Sequence, residues 1–418
     1  MKISAAILAM SLAAHPATPD AAALAVNQLG IELHRTLPAT GNACISPYSI
    51  QAALAMTFAG AAGATRTEME RVLHYPKGDE SIHGSFAALQ NSLATAASKS
   101  IKLTGESKRF GGPSEPITLN IANRLFGQKD YAFRVPFTSL VKANYGAPLA
   151  MLDFRKNAAG ATRDINNWVS NQTRGRIRDL IPAQVLNEST RLVLVNALYF
   201  KAAWADEFSE RATTKAPFHV NGGPAQNVPT MRNQSDYRYA KGDGYTTVGI
   251  PYIGADLQFV VILPDDIKGV SEVEAKLSPA ALTACATAKE REVILHLPKF
   301  KIEPPTMQLA LVLQQLGMKS AFDMPPGSAD FDRMAPRRPD EYLFVSEVYH
   351  KTFIALDEKG TEAAAATAVT MFPGAAPEEK PKPIEVRVDH PFLFAIQHIP
   401  TGACLFLGRV TDPEQKGK

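Results

Sequence analysis

Between Glu358 and Pro383 the chain runs about 25 residues without an amphipathic helix face. It opens Glu358-Lys359-Gly360-Thr361-Glu362, continues through Ala363, Ala364, Ala365, Ala366 and Thr367, and closes on Pro373, Gly374, Pro377, Pro381 and Pro383. A stretch so poor in apolar area cannot hold itself against a core. A structureless loop of this length inside a compact domain is usually functional. Every second residue from Thr361 (Thr361, Ala363, Ala365, Thr367, Val369, Met371) is small or apolar, and none is charged or proline. In a strand that set would share one face and pack against other elements. The alternate set, Glu362, Ala364, Ala366, Ala368, Thr370 and Phe372, begins with a charge and suits solvent. The segment reads as a loop written to become a strand. Composition alone would also fit a flexible Ala-rich linker.

The remaining chain limits what such a strand could join. The 418 residues are 45% apolar and 20% charged, as in globular proteins. Forty-four basic against 41 acidic residues give +3 with mixed signs, which argues against a nucleic-acid binder driven by a global positive field. No run of about 18 apolar residues predicts a membrane span, and no period of 20–50 residues predicts a solenoid. The three cysteines, Cys44, Cys285 and Cys404, form no CxxC spacing and read as buried inert thiols. G-x-S-x-G, H-E-x-x-H and P-loop motifs are absent, and the nine histidines lack metal-ligand spacing. The expectation is neither an enzyme nor a metal or cofactor protein.

Met1-Lys2-Ile3-Ser4 followed by nearly apolar Ala5–Ala14 resembles a short secretory signal. Export to the extracellular space or a periplasm is expected, with a cytoplasmic chain bearing an Ala-rich leader as the alternative. Residues 1–22 are assigned as leader, 23–413 as a single domain and 414–418 as a tail. Sequons at Asn171, Asn187 and Asn233 matter only where exported proteins are glycosylated.

Helical spacing places Val26, Leu29, Leu33 and Leu37 on one face. Ser46-Pro47 predicts a capped second helix, and Thr65–Leu73, Ser81–Ala97, Phe137–Tyr145, Thr162–Asn171 and Met307–Leu316 read as further helices. Gly105–Pro116 reads as a loop. Thr118–Asn123 alternates like a half-buried strand. Leu192–Val195 suits a strand covered on both faces, and Asn196 stands out beside it as a buried amide in need of partners. Strand-like runs follow at Leu257–Leu263, Val293–Leu297, Leu343–Leu356, Pro391–His398 and Leu405–Val410. Helices come first and strands dominate later, so the fold class is α+β in one large domain.

Six segments in order then resemble the serpin family, over about residues 23–413. They are Asn42-Ala43-Cys44-Ile45-Ser46-Pro47-Tyr48-Ser49, Asn196 through Trp204, Leu297 through Glu303, Leu316-Gly317-Met318 with Ala321-Phe322, His350-Lys351 with Asp357 through Ala364, and Asp389 through Phe394 with Gly408-Arg409-Val410. Ala202 stands where glycine is commoner. The resemblance, to the inhibitory type and to bacterial members, implies three β-sheets, about nine helices and an exposed C-terminal reactive-centre loop at about 358–383. It implies a serine-type endopeptidase inhibitor that acts as a suicide substrate. The protease cleaves the loop, and the acyl-enzyme is trapped as the loop inserts into the large sheet. The hinge would be Gly360, Thr361, Glu362, Ala363, Ala364, Ala365, Ala366 and Thr367, where proline or bulky inward charge would slow insertion. Ser46, Ser49, Asn196 and His350 match the cluster where the sheet opens. Trp204, Lys299 and Glu358 match the top of the sheet.

Family spacing from Glu358 puts the scissile bond at Gly374-Ala375. Counting back from His390-Pro391-Phe392 points near Lys380 instead, so the loop carries about six extra residues. Pro381 after Lys380 and Pro373 after Phe372 disfavour trypsin-like and chymotrypsin-like cleavage. Gly374-Ala375 and Ala375-Ala376 remain, and they suit a protease with a small specificity pocket, elastase-like or subtilisin-like. The expected partner complex is covalent and 1:1 with a monomeric inhibitor, without nucleic acid or membrane. A non-inhibitory serpin is the rival reading. Lys99, Lys102, Lys108 and Arg109 cluster loosely enough that a solvated basic surface is preferred to a polyanion site.

Overall fold

A computed structural model describes residues 21–77, 81–110, 112–338, 341–362 and 382–415. Among them are nine α-helices: α1 (Ala21–Arg35), α2 (Pro47–Phe58), α3 (Gly63–Val72), α4 (Ser81–Ser107), α5 (Val135–Tyr145), α6 (Phe154–Gln172), α7 (Val270–Lys276), α8 (Pro279–Thr287) and α9 (Ala310–Gln315). The strands are β1 (Ala43–Ile45), β2 (Thr118–Gln128), β3 (Ala150–Leu152), β4 (Leu192–Ala203), β5 (Thr214–His219), β6 (Ala225–Lys241), β7 (Tyr245–Pro251), β8 (Leu257–Pro264) and β9 (Glu290–Pro298). They continue with β10 (Phe300–Ile302), β11 (Met307–Gln308), β12 (Val348–Thr352), β13 (Ile354–Asp357), β14 (Gly360–Thr361), β15 (Ile384–Arg387), β16 (Phe392–His398) and β17 (Ala403–Val410).

Hydrogen bonding joins the strands into two networks, one of nine strands and one of eight. Of the three expected sheets, two are found among the described residues, because the 17-residue β6 pairs with β5, β7 and β9 in turn and joins their strands into one sheet. In the eight-stranded sheet β4 is the axis. It pairs antiparallel with β2 and parallel with β12.

Both faces of β4 are covered, as its unbroken apolar run requires. Val193, Val195 and Ala197 pack with Ile165 and Val169 of α6 on one face. Leu194, Leu198 and Phe200 join the main core with α1 and α2 on the other. Helix α2 is buried along its whole length. Its start is set by Ser46, whose hydroxyl accepts from the Ser49 N–H, and by Pro47 in the first turn. Helix α1 begins at Ala21, so it takes in the last two residues assigned to the leader, and Ala22 is fully buried.

Several boundaries differ from the sequence-based reading. The loop expected from Gly105 gives way to helix, which runs to Ser107 and then a 3-10 turn to Phe110. Thr104 is buried there, with its hydroxyl donating to the Ser100 carbonyl. The helix expected over Met307–Leu316 starts at Ala310, because Met307 and Gln308 pair with His350 and Tyr349 as β11. The strand expected from Leu343 starts at Val348, where the Glu347 carboxylate accepts from the Ala310 and Val348 N–H groups. Helix α6 starts at Phe154, before the expected Thr162, on an Asp153 cap.

Candidate functional site

The four residues expected at the sheet opening meet. Ser46, Ser49, Asn196 and His350 are all 0% exposed. The Ser46 N–H donates to His350 Nε2 at 3.0 Å. With Nε2 accepting, the imidazole proton sits on Nδ1 and is donated to Asn196 Oδ1, 2.5 Å away. Ser46 Oγ donates to the Leu405 carbonyl at 2.7 Å. A fifth member, missed in the sequence, is Asn123 of β2. It accepts from Ser49 Oγ at 2.9 Å and donates to the Ser49 carbonyl at 3.1 Å. Asn123, Asn196 and His350 stand in register across β2, β4 and β12. One polar row therefore links the parallel β4–β12 pair to the start of α2. Burial pushes the His350 imidazole down to about 3, so it is neutral. The alternation within Thr118–Asn123 carried the only signal for Asn123.

The top of the sheet is equally built. Trp204 is fully buried, stacks on Tyr252 at 4.7 Å, and donates from Nε1 to the Asp357 carbonyl at 3.0 Å. Lys299 Nζ lies 2.7 Å from Glu358, whose other oxygen accepts from Thr213 Oγ1 at 2.7 Å. The Glu358 side chain is 8% exposed and that of Lys299 is 37% exposed, so the carboxylate is buried while the ammonium reaches water. Burial alone would raise the Glu358 carboxyl, but the Lys299 and Thr213 hydrogen bonds hold it below its ordinary value. Lys359 is buried next to it, with Nζ 3.0 Å from Glu207.

The first two residues of the expected hinge form a strand. Gly360 and Thr361 form β14 between β4 and β13, antiparallel to both. Gly360 has φ +151°, and a Cβ there would lie 2.0 Å from the Ala202 carbonyl oxygen, so only glycine fits. Thr361 is 1% exposed, and its hydroxyl meets Tyr252 OH at 2.6 Å. Thr361 pairs with Ala202, which places it on the core face as the alternation predicts. Glu362 follows with φ +53° and gives its N–H to the Ala355 carbonyl. Its carboxylate pairs with Arg176. Ala363, Ala364, Ala365, Ala366, Thr367, Gly374 and Ala375 lie outside the described residues.

Elsewhere, Cys44, Cys285 and Cys404 are buried and unpaired. Burial pushes the thiols of Cys44 and Cys285 up to about 12, which makes them inert. Lys99 is engaged by Asp256 at 2.9 Å and by the Gly254 carbonyl.

The comparisons agree with this geometry. The family model described as "Serpin (serine protease inhibitor)" matches residues 24–413. The leukocyte elastase inhibitor of Equus caballus is 37% identical over 90% of this chain and 94% of its own length. A serpin-like protein of Thermococcus kodakarensis is 36% identical over 93% of this chain and 85% of its own length. The crystal structure of Serpin48 from Tenebrio molitor superposes with a TM-score of 0.76 at 30% identity, covering 93% of this chain and 97% of that one. With the family model matching residues 24–413 and relatives 36–37% identical over nine-tenths of its length, the chain belongs to the serpin family, a family of serine protease inhibitors and not of enzymes.

Proposed function

We propose that this chain inhibits a serine protease by suicide-substrate trapping. A protease attacks the loop at Gly374-Ala375 and forms an acyl-enzyme on Gly374. The freed N-terminal arm of the loop then enters the large sheet as a new strand, carrying the acylated protease away before water cleaves the ester. The observation that supports this reading is β14, whose two residues sit between β4 and β13 in register with both. The alternating small residues from Ala363 to Met371 would extend that strand without a charge or proline on its core face.

The small side chains around Gly374 fit a protease with a shallow pocket, and 37% identity to a leukocyte elastase inhibitor points the same way. The reading also includes export, carried by the apolar stretch after Lys2. N-terminal sequencing of the mature protein tests that part.

The test incubates the purified chain with pancreatic elastase, a subtilisin, chymotrypsin and trypsin, read by SDS gels and intact mass. A denaturation-resistant 1:1 complex with elastase or subtilisin, and a released peptide starting at Ala375, is the expected result. Loop cleavage by every protease without any complex would overturn it.

A further inference from the structure

Glu362 is where the chain leaves the sheet. Thr361 is paired on both sides, to Ala202 and Leu356, while Glu362 adopts φ +53°, a left-handed conformation uncommon for a residue with a side chain. Four residues further down β4 from Ala202 the sheet is shut, since Thr352 of β12 already pairs with Leu198 of β4. Glu362 therefore sits at the fork where β4 parts from β12 and β13. An advancing strand would have to open the β4–β12 pair and swing Glu362 into the extended region.

Arg176 lies across that fork. It belongs to the connection that follows α6, the helix packed on β4, and is half exposed at its outer edge. Its Nε donates to the Glu362 carboxylate, while its guanidinium carbon is 5.1 Å from the centre of the Phe353 ring, which lies between β12 and β13. The Glu362 side chain is only 9% exposed, and Tyr199 of β4 faces the same carboxylate. One side chain thus ties together the hinge, the strand that must move aside, and the α6 connection that covers the path. Nothing in the loop motifs or the sheet-opening cluster assigns it a role.

We propose that Arg176 is a positioning residue that brakes the uncleaved loop, holding Glu362 in its turned-out conformation so that insertion stops after Thr361. The brake rests on the insertion reading above. Before cleavage, it keeps the loop available to the protease. After cleavage, the strand gained outweighs one ion pair, and the fork advances.

The experiment compares wild type, Arg176→Ala, Glu362→Gln and Arg176→Lys as full-length uncleaved chains at about 45 °C. It follows conversion to a form that resists loop cleavage and melts higher, with loop-cleaved wild type as the reference for the inserted state. Loss of one charge-assisted hydrogen bond predicts conversion faster by about tenfold in Arg176→Ala and Glu362→Gln. Arg176→Lys should restore a rate near wild type. A merely structural arginine would lower the melting temperature of the uncleaved form without producing the cleavage-resistant one. A higher melting point in cleaved wild type, with all uncleaved variants converting at the wild-type rate, would overturn the brake alone. No rise in melting point on cleavage would overturn the insertion reading and the brake with it.

Discussion

His350 Nδ1 and Asn196 Oδ1 lie 2.5 Å apart across β12 and β4, which pair in parallel. The bond fastens β12 to β4 at the level where a new strand would have to pass. Asn196→Ala leaves the His350 N–H buried without a partner, and an orphaned buried donor costs about 1–3 kcal/mol. Urea unfolding at pH 7 should show that loss as a lower midpoint at constant slope. An unchanged midpoint would remove the cluster from the account of how the sheet stays shut.

The same histidine sets a pH dependence. The folded imidazole is pushed down to about 3, against an ordinary 6.5. The unfolded chain therefore takes up the proton first. The stability that neutral His350 contributes is complete above pH 6.5 and is lost as pH falls toward 3. The slope is about 1.4 kcal/mol per pH unit for each such group. His398, pushed down by burial to about 4, acts in the same direction. Unfolding free energy should fall from pH 7 to pH 5, and His350→Gln should remove about one proton's worth of that slope. An identical slope in the variant would contradict a neutral His350 in the folded state.

Glu358 and Lys299 anchor the base of the loop. Lys299→Met leaves a carboxylate that is 8% exposed with Thr213 as its remaining side-chain partner. The expected loss is about 1–3 kcal/mol. Glu358→Gln with Lys299→Met should recover part of it, because the buried charge is then gone. A double variant no better than the single would mean that the two charges act independently.

Gly360→Ala puts a methyl into the Ala202 carbonyl at a φ only glycine adopts readily. The expected outcome is expulsion of β14, read as faster hydrogen exchange at residues 360–362 with little change elsewhere. Thr361→Arg places a charge on the core face against Tyr252, where a buried unpaired charge is strongly disfavoured. That variant should be cleaved as a substrate, with more inhibitor consumed per protease trapped. If it traps as efficiently as wild type, the core face of the inserted strand has been misassigned.

Much of this was legible before any coordinates. The Ser46-Pro47 cap, the covered run at Leu192–Val195 and the out-of-place amide Asn196 each rest on one local rule, and the chain obeys it; of the alternation that begins at Thr361, only Thr361 and Glu362 lie among the described residues. Other parts were hidden for definite reasons. Asn123 looks like any polar position of a half-buried strand until Ser49 is brought against it. Arg176 is one arginine in a connection, and only the fold carries it to Glu362. Met307 and Gln308 continue a helical pattern, but β12 recruits them as an edge strand. Strand β6 has exposed or half-buried residues at most of its positions, so it lacks the apolar face that periodicity needs.

The central claim is that the loop becomes a strand of the large sheet. Differential scanning calorimetry of the intact chain and of the chain cleaved within residues 372–376 tests it most directly. At a few degrees per kcal/mol for a domain of this size or smaller, an added buried strand predicts a rise in melting temperature of more than about 10 °C. An equal or lower melting temperature after cleavage would contradict insertion, and with it the trapping mechanism.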